Sequence, residues 1–325
     1  MLAVATVLLP TASRPELLRG ALQSIATQTA VARIERIVVS ENGSDPRSRA
    51  VCEEFAQLPI TYIYREPTVR PLEHGRILMR ECLEGDITCI LHDDDWWMPN
   101  HLEDALAALE AEPEAAAYGS SFVINKDGTT LLERYDLTAW FGANYPASNS
   151  VWRLSASNVL LASLYGLVVH YSSLVARTEA LRQSAYVYDL KNPFDNDRML
   201  LFALSRFGSV LFNPEVRVVV RHHEVRDTSN FAQDERNRRM SETTDWMVSS
   251  GMKSWSIVAA AFAKRITACP EPEQRADLIR IATVRPWCLP EMARHLSREN
   301  DVEFFSMFDR ATQMFGTLTA QEDRR

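Results

Sequence analysis

The sequence predicts an α/β fold: a doubly wound, mostly parallel sheet flanked by helices, with a helical extension at the carboxyl-terminal end. Three observations carry this expectation. Apolar, β-branched runs alternate with stretches of helical period over about the first 110 residues, the pattern of strand-helix units that build a parallel sheet. The first two runs each give way to a polar turn, at residues 11–16 and 40–45, so polar loops gather at one edge. The fourth run, Ile87, Thr88, Cys89, Ile90 and Leu91, ends in His92, Asp93, Asp94 and Asp95, at the carboxyl edge where open α/β sheets bind ligands.

The elements follow in order. Residues 4–9 read as a buried strand. Ser13 is expected to cap the next helix, with Pro15 in its first turn and Glu16 closing a capping box. Leu17, Leu18, Ala21, Leu22 and Ile25 form that helix's apolar stripe. Residues 34–39 make a second strand, 47–57 a helix, 60–64 a third strand and 73–83 a helix that leads to the turn at Gly85 and Asp86. After the acidic run another helix starts at Asn100, where Asn100 and Glu103 are spaced as a second capping box and Leu102, Ala105, Leu106 and Leu109 share one face.

From Glu112 the pattern changes. Residues 118–125 and 129–134 read as strands around an Asp127-Gly128 turn. Residues 140–152 are rich in Trp, Tyr, Asn and Ser without clear periodicity; such side chains suit recognition of a sugar or polyol, and equally an ordinary packed loop. Residues 168–176 read as a strand, 193–208 as a segment holding a helix that opens with Asp195, Asn196 and Asp197, and 210–212 and 216–220 as two strands, the second running into Arg221, His222 and His223. Beyond residue 230 the chain reads as helical and of mixed charge, with Trp246, Trp255, Phe262 and Trp287 as anchors and a hinge near Pro270 and Pro272. This implies two parts, residues 1–230 (halves 1–110 and 111–230) and a helical extension, 231–325.

Composition bounds the function. A hydrophobic share of 46% and a charged share of 24% are those of a globular protein with a full core. The net charge of -8 argues against a nucleic-acid partner. Five scattered cysteines, Cys52, Cys82, Cys89, Cys269 and Cys288, lack metal or redox spacing and read as reduced thiols of a cytoplasmic protein. The first ten residues carry no basic segment before their apolar run, and no apolar run reaches 18 residues, so neither a signal peptide nor a membrane span is expected. Peripheral contact with the inner face of a membrane stays open, as does a homodimer through the extension.

Three adjacent carboxylates repel one another and resist desolvation, so at a strand end they point to a bound cation, and oxygen donors favour Mg²⁺ or Mn²⁺. The plain alternative is a solvated turn that caps the next helix.

Residues 7–18, then 37–44, then 85–99 occur in the order and spacing of the family 2 glycosyltransferases. The chain resembles that family over about residues 3–110 and again over about 166–230. The resemblance implies a GT-A fold and a nucleoside-diphosphate sugar as donor. It implies donor contacts from the loop at Pro10, Thr11, Ser13 and Arg14, from Glu41 and Asn42 at the end of the second strand, where the family carries a base-binding Asp, and from Arg76. The family's Asp-x-Asp motif falls on His92, Asp93 and Asp94, followed by Asp95. Metal ligation is thus implied chiefly for Asp94, with Asp95 beside it and His223 of the Arg221-His222-His223 run assisting, while His92 and Asp93 face the donor. Asn196 and Asp197 match the family's Glu-Asp pair, which implies Asp197, or its neighbour Asp195, as the general base.

The resulting expectation is a metal-dependent, inverting glycosyltransferase using Mn²⁺ or Mg²⁺ and a UDP- or dTDP-linked sugar. A glycan, a lipid-linked molecule or a small metabolite remains open as acceptor. Two other readings stand beside it: a nucleotide-sugar-binding module without turnover, and a sugar-nucleotide nucleotidyltransferase. The second lacks a glycine-rich phosphate loop with a nearby lysine after the first strand.

Overall fold

The computed structural model describes residues 3–43, 45–126, 129–131, 151–156, 159, 169–189 and 196–222. The chain divides into two units, residues 1–247 and 248–325, and all of the described residues lie in the first. The expected helices after residue 230, the aromatic stretch before Val151, and Cys269 and Cys288 lie outside the described residues.

Strand-helix alternation runs through β1 (Ala5–Thr11), α1 (Pro15–Ala26), β2 (Ile34–Glu41), α2 (Arg47–Glu54), β3 (Ile60–Tyr64), α3 (Pro71–Glu81) and β4 (Ile87–Ile90). Then come β5 (Asp95–Trp97), α4 (His101–Ala111), β6 (Ala115–Lys126), β7 (Thr129–Leu131), β8 (Trp152–Leu154), β9 (Val175–Arg177), α5 (Thr178–Ser184), α6 (Asn196–Leu204) and β10 (Ser209–His222). One sheet has the order β3-β2-β1-β4-β9-β6-β10-β5, with β7 on β6 and β8 on β10. The first four strands pair in parallel, as the alternation predicts, with Leu8 opposite both Val38 and Ile90. β6 and β10 are also parallel, whereas β9, β5, β7 and β8 run antiparallel to their neighbours.

The core follows from the period of the sequence. Val7, Leu9, Ile37 and Val39 alternate along β1 and β2 and meet Leu18, Leu22 and Ile25 of α1 and Leu102 and Leu106 of α4 in one buried cluster. Fully burying a side chain of this size contributes about 1.5–3 kcal/mol.

Both expected capping boxes are corrected. Ser13 lies in the left-handed region, φ 55, and donates its backbone N–H to Glu41 Oε1 at 2.8 Å. The helix instead begins after Arg14 with no side-chain cap, and Pro15 removes one of the donors a cap would serve. At α4, Asn100 flanks the helix without a capping bond; Glu103 accepts from the Thr29 hydroxyl, and the amide of buried Gln28 reaches across to take the Leu102 N–H at 3.0 Å. Two strand assignments change as well. Of the expected strand 168–176, the described residues 169–176 give a 3-10 turn at Tyr171–Ser173 followed by the start of short β9. The runs 210–212 and 216–220 belong to one strand, β10, whose register shifts between Asn213 and Val216, where Pro214 has no N–H for the ladder and the Asn213 side chain takes the Glu215 N–H.

Candidate functional site

The carboxyl ends of β1, β2 and β4 converge with β5 and β10 on the acidic run. β10 brings Val220 opposite Asp95, and the next residue, Arg221, closes the loop from one side. Arg221 donates its N–H to Asp95 Oδ1 at 3.1 Å, its Nη2 to the carbonyls of Asp93 and Leu17 at 3.0 and 3.1 Å, and its Nε to the Asp94 carbonyl. Its guanidinium stacks 4.3 Å from the Trp96 ring centroid.

The loop's carboxylates have separate surroundings. Asp93 turns inward. Its Oδ2 accepts from the Thr11 hydroxyl at 2.7 Å and from Arg14 Nε at 3.0 Å, and Arg14 Nη2 stands 2.6 Å from its Oδ1. Burial pushes the Asp93 carboxyl up to about 7, and the paired Arg14 opposes that rise. Asp95 is also fully buried. Its oxygens accept the Arg221 N–H and the Ser172 hydroxyl, with His170 Nδ1 at 3.4 Å, and burial, then the charge of Asp94, raises it to about 6. Asp94 alone of the three exposes part of its side chain, 14%, with Arg14 Nη1 at 3.5 Å.

His92, Asp94 and Asp95 offer one ligand atom each within 4.8 Å of one another, a group able to hold a metal ion. Opposite ligands of an ion with bonds of about 2.1 Å stand about 4.2 Å apart, so the set needs little closure. Burial lowers the pKa of His92, which favours the neutral imidazole that a metal requires. The donor chemistry therefore fits a divalent cation, with His92 in the group and Asp93 turned to Thr11 and Arg14.

The other sequence-predicted residues fall around this centre. Pro10 lies beside Ser40 across the β1–β2 ladder, one residue before Thr11. Glu41 is fully buried: its Oε1 takes the N–H groups of Ser13 and Gly43 at 2.8 and 2.6 Å, while Oε2 has no hydrogen-bond partner among the described residues. Asn42 clamps Val69, giving to its carbonyl at 2.8 Å and taking its N–H at 2.9 Å. Arg76 pairs with Glu73 and lies 3.7 Å from Asp189, away from the acidic loop's own contacts. Asp197 opens α6 and accepts the Arg198 N–H at 2.9 Å. It lies close enough to Tyr171 and Tyr188, whose hydroxyls bond each other, to help raise both phenols after burial has done most of it. The Tyr171 ring is 5.5 Å from that of His92, which links the two groups. Asp195 and His223 lie outside the described residues.

Sequence reasoning missed His170 and Ser172, because residues 168–176 read as a strand. A His-Tyr-Ser-Ser run carries weak strand character, and that was the available signal.

Comparison with known proteins bears on the family and the fold. The family model described as glycosyl transferase family 2 matches residues 6–158. No curated protein matches the sequence. Among solved structures, S. aureus TarS residues 1–349 in complex with UDP-GlcNAc superposes with a TM-score of 0.55 at 13% identity, covering 95% of this chain and 92% of that one. The mannosyltransferase PcManGT from Pyrobaculum calidifontis, in complex with GDP-Man and Mn2+, superposes with a TM-score of 0.52 at 16% identity, covering 97% and 81%. At these identities the likeness concerns the fold. Residues 6–158 thus match the glycosyl transferase family 2 model, and the sheet built around the acidic loop is of the GT-A kind seen in the glycosyltransferases it superposes on.

Proposed function

We propose that the protein is a metal-dependent, inverting glycosyltransferase that moves a sugar from a uridine- or deoxythymidine-diphosphate donor to an acceptor hydroxyl. The observation that carries this reading is the group formed by His92, Asp94 and Asp95 at the carboxyl end of β4. A divalent ion bound there would offset the charge that develops on the departing diphosphate.

The chain's own residues supply the rest. Arg14, one-third exposed beside Asp93 and Asp94, offers a guanidinium to the donor phosphates. Asp197, or Asp195 beside it, accepts the proton of the attacking hydroxyl, whose high pKa requires a base. Attack on the face opposite the leaving group then inverts the anomeric carbon.

The base preference rests on Glu41. A carboxylate with both oxygens open matches the two adjacent donors of guanine. Here Oε1 already serves Ser13 and Gly43, and Oε2 is buried without a hydrogen-bond partner among the described residues, so a base that reaches it meets one acceptor, the complement of the single imide N–H of uracil or thymine. TarS was crystallised with UDP-GlcNAc and PcManGT with GDP-Man; Glu41 aligns this chain's reading with the former.

The test is sugar release or transfer from a panel of nucleoside-diphosphate sugars in the presence of Mn²⁺. Uridine- or thymidine-linked donors are expected to turn over. Asp94→Ala is expected to lower the rate by about 10²-fold or more, and Asp197→Asn by about 10²–10⁴-fold. Turnover unchanged in Asp94→Ala, or confined to guanosine-linked donors, would refute the corresponding part.

A further inference from the structure

The acidic loop differs from an all-oxygen cation site in one respect: its first donor is an imidazole. We infer that His92 tunes this centre toward first-row transition ions and against Mg²⁺, so that the resident ion is set by a nitrogen donor. The inference rests on the metal-dependent reading above and specifies its ion.

Three observations support it. His92 is one of the three residues whose ligand atoms approach within 4.8 Å. Its position is wedged: the backbone N–H donates to Ser172 Oγ at 3.2 Å, and the ring lies 5.5 Å from Tyr171 and 6.0 Å, edge to face, from His170. The oxygen donor that would otherwise compensate, Asp93, is held by Thr11 and Arg14 and is fully buried. The available set is thus one nitrogen and the carboxylates of Asp94 and Asp95.

Mg²⁺ requires near-ideal octahedral oxygen ligation and parts with its waters reluctantly. Imidazole suits Fe, Co, Ni and Zn, and affinity for a mixed nitrogen and oxygen set rises from Mn²⁺ through Co²⁺. A held imidazole in place of a carboxylate also removes one negative charge, which weakens binding of a hard ion more than of a borderline one. Mn²⁺ and Co²⁺ should both bind here ahead of Mg²⁺.

Binding is measured on the purified full chain by the loss of the free Mn²⁺ paramagnetic resonance signal, with and without uridine diphosphate, and by displacement with Mg²⁺. Nucleotide-only samples serve as controls. The wild type is expected to hold Mn²⁺ about tenfold or more tightly than Mg²⁺, and His92→Asp to narrow that ratio to about threefold or less. Co²⁺ provides an independent signature: its visible absorption should change between wild type and His92→Asp, since one nitrogen ligand becomes oxygen. Should His92→Asp fail to fold, His92→Asn, with an amide oxygen donor, takes its place and should narrow the ratio in the same direction. An equal ratio in wild type and variant, or a Co²⁺ spectrum that the substitution leaves unchanged, overturns the inference and leaves the metal-dependent reading standing. Absence of divalent binding under both conditions overturns the two together.

Discussion

His101 shows how much a single side chain can couple to solution conditions. It is fully buried, stacked 5.0 Å from Trp97 and 6.1 Å from Tyr118, and neither ring nitrogen has a hydrogen-bond partner among the described residues. Burial, aided by the charge of Arg217, lowers its pKa to about 3, and burial lowers that of His74 to about 4. The unfolded chain binds these protons near pH 6.5 while the folded chain refuses them, so the stability these two histidines contribute is full above that pH and falls as the pH drops toward the folded values. Each such histidine is expected to cost about 2 kcal/mol by pH 5. His101→Leu removes this one contribution, so the unfolding free energy of the variant relative to wild type should rise by about 2 kcal/mol between pH 7 and pH 5. Chemical denaturation across that range checks this, and parallel curves for wild type and variant would contradict it. Burial of this kind cannot be read from a lone histidine at a helix start.

At the level of elements, the decisive contact joins the loops after β1 and β2. Ser13 in its left-handed conformation and Gly43 both direct N–H groups at Glu41 Oε1, and a Cβ on Gly43 would stand 2.1 Å from Ser13 Oγ and 2.7 Å from that oxygen. Gly43→Ala therefore has to part the two loops. We expect it to destabilise the fold by about 1–3 kcal/mol, since parting leaves buried Glu41 short of donors, and to weaken uridine diphosphate binding. Calorimetric titration with that nucleotide, beside a melting curve, tests both; unchanged affinity would separate Glu41 from the donor site. The sequence offered the polar turns at both strand ends, and it offered Ser13 as a helix cap. It could not show that Ser13 would answer to Glu41, because a residue 28 positions away becomes a neighbour only through parallel pairing of β1 with β2.

For the molecule as a whole, Arg221 joins the parallel half to the mixed half. From β10 it reaches carbonyls of α1 and of the acidic loop and lies on Trp96. A planar guanidinium spans these acceptors at once, and an ammonium cannot. Arg221→Ala is expected to cost about 2–4 kcal/mol through lost charge-assisted bonds and stranded carbonyls, with Arg221→Lys recovering little of it. A urea midpoint for Arg221→Lys equal to that of wild type would show that charge alone suffices.

The sequence by itself determined the strand-helix alternation of the first half, the acidic loop at the end of β4 and the residue types on offer there. Period and turn chemistry are local properties, written within a dozen residues. Tertiary structure decided the rest: that Asp93 turns to Arg14 while His92 joins Asp94 and Asp95, that His170 and Ser172 brace Asp95 from a segment 75 or more positions away, and that β10 delivers Arg221 across the loop. The physical reason is that a carboxylate's role depends on which donors, charges and solvent surround it, and chain crossings far apart in sequence supply those surroundings.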